Sequence, residues 1–165
     1  FPEIVKGITR LSSEPSRASP LLPHPTNKKN LHRVGTTSIA SEPIAALRVI
    51  AGPLEGSWIF ISRNAGKIFF GRGDSVDVSF HKNKDIDLEV SREHFLLSVV
   101  ITDSQKKDRD NDCVVKIMDL DSDNGTLVNR NRLESRRQAD LKTGDEIWIG
   151  NSILIFYQLV FIKKL

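Results

Sequence analysis

The chain has a single cysteine, Cys113. One thiol excludes an internal disulfide framework and fits a reducing compartment. Cys113 lies in the apolar run Cys113-Val114-Val115-Lys116-Ile117-Met118 and reads as a buried structural thiol. Long apolar runs are also missing. The longest, Ile153 to Ile162, is broken by Gln158 and is too short to span a bilayer as a helix. The chain does not open on a charged–apolar–small signal pattern, and its first residue, Phe1, suggests an excised region or mature fragment. Helical periodicity is absent throughout, and there is no internal repeat. A nucleophile–base pair, a metal cage and a cofactor fingerprint are missing too, so no cofactor and no enzymatic activity are expected. The Asn124-Gly125-Thr126 triplet formally matches a glycosylation acceptor, but in a one-cysteine chain it reads as a turn.

What the chain does contain is unevenly distributed. Apolar content of 39% and charged content of 27% are ordinary for a globular chain. Residues 1–42 hold six Lys/Arg against three Asp/Glu, whereas the rest holds 18 of each, so the net charge of +3 resides wholly in the first segment. The neutral remainder lowers the nucleic-acid reading, because a nucleic-acid-binding domain usually carries a basic excess. Prolines at 2, 15, 20, 23, 25 and 43 interrupt the opening segment, and no apolar period survives past Leu11. We read residues 1–42 as a Pro/Ser-rich basic tail, disordered or extended, and 43–165 as the folded domain. The pieces Phe1–Val5 and Ile8–Leu11 offer short apolar contacts for a partner subunit docking on the tail.

From Pro43 onward, short β-type runs alternate with polar turns every 8–12 residues, the pattern of an antiparallel sandwich or barrel. The runs are Ala46–Ile50, Ser57–Ser62, Lys67–Phe70, Val76–Phe80, Asp87–Val90, His94–Thr102, Cys113–Leu120, Thr126–Val128, Glu146–Ile149 and Ser152–Phe161. The ten polar residues 103–112 join two of the longest and read as a hairpin insertion remote from the motif loops.

Three groups of residues carry the chemistry: Gly71-Arg72, Ser91-Arg92-Glu93-His94 and Asn124-Gly125-Thr126. All sit between strand-like runs. An arginine beside glycines supplies a planar donor fork where the backbone can approach a ligand. A serine and second arginine follow about 20 residues later, and an Asn-Gly turn closes the set. The set describes an anion receptor.

Together with Asn129 and the closing stretch Leu141-Lys142-Thr143-Gly144-Asp145-Glu146-Ile147, these pieces resemble the forkhead-associated (FHA) domain over roughly residues 44–160. The resemblance implies an all-β, two-sheet antiparallel sandwich of FHA/SMAD-like type that binds phosphothreonine peptides at one end. It implies Arg72 and Ser91 on phosphate, Arg92 in support and Asn124 on the peptide backbone. It implies structural roles for Gly71, His94, Gly125, Thr126 and Asn129, with Asn129 tying the turn at 130–132. It also implies a partner bearing phosphothreonine, acting in nuclear signalling, DNA-damage response or RNA processing. Two positions depart from the family pattern. Asp123 stands where a hydroxyl residue is common, and Glu89 where some members carry an arginine that selects acidic flanking residues. Both add negative charge near a dianion. They favour one alternative, a scaffold that binds its partner without phosphate. A second alternative, the regulatory segment of a larger enzyme such as a kinase, depends on sequence flanking this chain.

Overall fold

The computed structural model describes residues 31–34, 42–102 and 113–159, of which 31–34 are described by backbone alone. Among the described residues there are fourteen strands: β1 (Leu31–Val34), β2 (Pro43–Ala51), β3 (Trp58–Ser62), β4 (Lys67–Gly71), β5 (Val78–Ser79), β6 (His81–Lys82), β7 (Asp85–Ile86), β8 (Phe95–Ile101), β9 (Cys113–Asp119), β10 (Thr126–Val128), β11 (Asn131–Arg132), β12 (Gln138–Asp140), β13 (Glu146–Ile149) and β14 (Ser152–Gln158). They build a seven-stranded sheet in the order β1-β3-β2-β14-β13-β10-β11 and a five-stranded sheet in the order β12-β9-β8-β4-β5. The short hairpin β6–β7 stands apart. The architecture is the expected all-β sandwich. Its pairings are antiparallel except β1–β3 and β4–β5, which are parallel.

The core follows from period-2 patterning. In β9, Cys113, Val115, Ile117 and Asp119 are buried while the residues between them are half-buried. Ile117 pairs with Leu97, and Leu97 with Ile68, so one apolar row crosses the five-stranded sheet. It faces Leu47, Ile59, Ile147, Leu154 and Phe156 from the other sheet, all fully buried. Phe70 and Phe95 stack with ring centroids 4.5 Å apart at the end of this core nearest the motif loops.

β3 differs from the other strands, because all five of its residues are buried. Ile59 and Ile61 point inward. Trp58 and Phe60 occupy the opposite face beside Tyr157, with the Arg48 guanidinium 5.2 Å from the Trp58 ring centre.

Within the segment 1–42, read as a disordered or extended tail, residues 31–34 are extended and form β1. Residues 31–34 pair in parallel with 58–61. An edge strand leaves a row of backbone groups unpaired, and the stretch between Pro25 and Pro43 holds no proline to prevent their pairing. One correction concerns Asp87–Val90, read as a strand from its alternation. It is a turn, with Val90 N donating to Asp87 O at 3.1 Å. The hairpin insertion 103–112, the apolar pieces Phe1–Val5 and Ile8–Leu11, and the end of the last run beyond Leu159 lie outside the described residues.

Candidate functional site

Three connections meet at one end of the sandwich: the turn after β4, the segment before β8 and the link between β9 and β10. Backbone bonds hold the first two together. Arg72 N donates to Ser91 O at 3.0 Å, Gly73 N to Arg92 O at 3.1 Å, and His94 N to Phe70 O at 2.8 Å. Gly71 is required by this approach, since a Cβ there would sit 2.0 Å from the Arg92 carbonyl oxygen.

Arg72 lies half-buried on this seam. Its Nε is buried and has no hydrogen-bond partner among the described residues. A buried guanidinium donor left without a partner is costly, and its geometry suits a planar anionic acceptor. Beside it, the Ser91 hydroxyl oxygen accepts from Asp123 N at 2.9 Å. That bond uses a lone pair, so the hydroxyl proton stays available to an outside acceptor. Arg92 is exposed at the rim.

His94 is fully buried beneath the loops. Ser91 N donates to its Nδ1 at 3.0 Å, which places the ring proton on Nε2, 2.9 Å from the Gly125 carbonyl oxygen. The imidazole thereby joins the second connection to the third. Burial pushes its pKa below the usual value, partly offset by the bond to the Gly125 carbonyl and by nearby carboxylates.

The third connection is organised by Asp119, which β9 alternation turns inward. Its buried carboxylate accepts from Ser122 N at 3.1 Å, Ser122 Oγ at 2.5 Å and Thr126 Oγ1 at 2.6 Å. Ser122 Oγ in turn accepts from Gly125 N at 3.0 Å. The left-handed backbone expected at Asn124-Gly125 occurs at Asp121 (φ 57) and Gly125 (φ 85), not at Asn124. Asp121 also accepts from Ser135 Oγ and, at 2.8 Å, from Arg136 Nε, which together lower its pKa. Asp123 is exposed at the tip.

Asn124 is exposed, and its amide already has partners. Nδ2 donates to the Glu89 carbonyl oxygen at 2.9 Å and to Glu89 Oε2 at 3.1 Å. Glu89 thus stands across the Asn-Gly turn rather than apart from it. Asn129 also differs from expectation. Its side chain reaches Asp145 and Glu146, donating to Asp145 Oδ1 at 2.9 Å and accepting from Glu146 N at 3.0 Å, and does not tie the turn at 130–132. The backbone at Asn129 is left-handed (φ 51), which aims the side chain across the sheet.

Sequence reasoning missed three organising residues. Asp87 is buried and accepts from Glu89 N at 3.2 Å, Asn151 N at 2.9 Å and Ser152 Oγ at 2.6 Å, joining the Ser91 segment to the β13–β14 turn. Asp119 was discoverable, because it falls at an inward position of the β9 alternation. Arg132 depends on the β10–β11 register, for which the sequence carries no signal. A groove runs from Glu89 and Asn124 across Leu127 and Trp148 to Asn151.

The family model of the FHA domain matches residues 68–150. The crystal structure of the MEK1 FHA domain superposes with a TM-score of 0.56 at 23% identity, covering 71% of this chain and 91% of that one. The solution structure of the FHA domain of an Arabidopsis thaliana hypothetical protein gives 0.56 at 24% identity, covering 79% and 99%. The MEK1 FHA domain in complex with a HOP1 phosphothreonine peptide gives 0.53 at 21% identity, covering 71% and 98%. No curated protein matches the chain.

Proposed function

The chain belongs to the FHA domain family, and from that premise we propose that it is a non-catalytic module that recognises a phosphothreonine peptide in a partner protein. The observation that carries the reading is the pair Arg72 and Ser91. A buried guanidinium nitrogen without a partner and an uncommitted hydroxyl proton lie on adjoining segments fixed by backbone bonds. Such preorganised donors gain a phosphate without paying much to order themselves. In this reading Arg92 adds charge at the rim and Asn124 holds the peptide backbone. The domain is taken as residues 43–165 carrying the motif loops, and the setting proposed from the family is nuclear signalling.

The test is titration of a phosphothreonine peptide and its unphosphorylated counterpart into wild-type and Arg72→Ala protein. Binding that requires phosphate and falls by roughly tenfold or more in Arg72→Ala supports the reading, given about 1.5–3 kcal/mol for a charge-assisted contact. Equal affinity for both peptides would sink it. A second reading, a scaffold that binds without phosphate, is favoured by one observation: Glu89 occupies the Asn124 amide that a peptide would use. The same titration separates the two.

A further inference from the structure

Leu127 stands directly opposite Arg132 on one side and Trp148 on the other. Directly paired residues share a face, so these three side chains form a row on the outer surface of the seven-stranded sheet. The row ends at the Asn-Gly turn. Arg132 Nη1 lies 3.5 Å from the Asn124 carbonyl oxygen, and the guanidinium carbon is 2.7 Å from where a Cβ on Gly125 would sit. A contact of 3.5 Å is a weak hydrogen bond and leaves most of the five donors unused. At the other end of the row, the Arg130 guanidinium lies 5.5 Å from the Trp148 ring centre.

The neighbouring arginines behave differently. Arg136 is paired with Asp121 at 2.8 Å and Arg137 with Glu134 at 3.2 Å. Arg130 and Arg132 form no ion pair among the described residues. Glu89, the nearest carboxylate across the groove, is bonded instead to Asn124. Glu89 on the groove lining therefore has its charge partly satisfied. Arg132, beside the Asn124-Gly125 turn that borders the groove, has no ion-pair partner among the described residues. Packing against Gly125 and the Leu127 row restricts the Arg132 side chain, so less entropy is lost when it meets an anion.

We infer that Arg132, with Arg130 at the far end of its row, is a second anion-reading position that takes an acidic side chain or a second phosphate on the same phosphopeptide. The inference rests on Arg72 and Ser91 holding the first phosphate. Since an extended peptide advances about 3.3 Å per residue, the second anion falls within a few residues of the phosphothreonine. Its selectivity is the opposite of that suggested by Glu89 alone, because an arginine attracts the flanking anion that a carboxylate repels.

The experiment uses the full chain and phosphothreonine peptides with neutral flanks, into which one Glu or one phosphoserine is moved stepwise along both sides. Each result is read as the affinity ratio between anion-bearing and neutral-flanked peptide within one protein, so uniform changes in binding cancel. In wild type, one position gains about threefold to fivefold with Glu and more with phosphoserine, as for an exposed ion pair, and the gain shrinks as salt rises. Arg132→Gln removes that gain and Arg132→Lys keeps part of it. A flat scan, or a gain that survives Arg132→Gln, overturns the assignment to Arg132 while leaving the phosphate site standing. Loss of phosphate dependence for the neutral-flanked peptide overturns both.

Discussion

The backbone amide of Ser91 donates to Nδ1 of His94 across 3.0 Å, and this one bond decides which imidazole nitrogen carries the proton. With Nδ1 committed as an acceptor, Nε2 serves the Gly125 carbonyl 2.9 Å away. A second proton on the ring would set an N–H against the Ser91 N–H and break the bridge between two recognition segments.

This gives the first prediction, a pH dependence. Burial holds the folded-state pKa of His94 below its ordinary 6.5, so on acidification the unfolded chain takes up the proton first. Stability is therefore full above about pH 6.5 and declines as pH falls below it toward the lowered folded value. Denaturant unfolding from neutral to mildly acidic pH should show this slope in wild type and not in His94→Asn. Equal slopes in both proteins would refute the assignment. Asp121 contributes in a separate window, since its lowered pKa yields stability lost only as pH falls below the usual carboxylate value.

Asp119→Ala should be among the most destabilising single changes at this end of the fold. It strands Thr126 Oγ1 and the Ser122 amide in a buried setting, at a cost of roughly 2–4 kcal/mol. Equilibrium unfolding measures it directly, and a loss under about 0.5 kcal/mol would mean that the Ser122–Thr126 turn holds itself.

Asp123 donates its backbone amide to Ser91 Oγ, and serine in its place keeps that bond. Asp123→Ser should thus strengthen phosphopeptide binding by removing a like charge, an effect of about 0.5–1 kcal/mol that fades with added salt. Weaker binding would show that the carboxylate itself supports the turn.

Glu89→Ala frees the Asn124 amide from both of its present acceptors only in part, because the Glu89 backbone carbonyl remains. A modest gain of about twofold to threefold in phosphopeptide affinity is expected, consistent with removing one exposed polar contact. Glu89→Arg should add a preference for acidic flanking residues. Titration against acidic-flanked and basic-flanked phosphopeptides decides both, and indifference in each variant would place Glu89 outside peptide recognition.

Removing residues 1–42 deletes β1 and exposes the edge of β3. Four lost cross-strand pairs at a few tenths of a kcal/mol each, less the cost of ordering the strand, predict a loss of about 1–2 kcal/mol. The freed edge should also promote self-association. Thermal unfolding and light scattering of 43–165 beside the full chain test this, and identical behaviour would show that β1 adds nothing to the domain.

The long strands were legible because burial imposes alternation. β9 announces itself by Val115 and Ile117 between more exposed neighbours, and β13 by Ile147 and Ile149. The three motif groups were legible as a set of types and spacings. β5 was read too long, as Val76–Phe80, and β6, β7, β11 and β12 were not read at all, since their pairing rests on backbone geometry rather than pattern. Asp87–Val90 misled because its polar–apolar alternation arises from a buried Asp87 that closes a turn. Glu89 was read as a position that sets peptide selectivity, and its bond to Asn124 depends on two segments 35 residues apart meeting in space.

The two loops that carry Arg72 and Ser91 are fastened through Gly71 and the Ser91 and Arg92 carbonyls, while buried His94, Asp87 and Asp119 anchor them from below. The side chains that meet solvent at the tips, those of Arg92, Asp123 and Arg132, contribute little to that fastening. Exposed substitutions of this kind usually change stability by no more than about 0.5 kcal/mol. Tip side chains can accordingly be exchanged one at a time while the frame beneath them stays folded at every step.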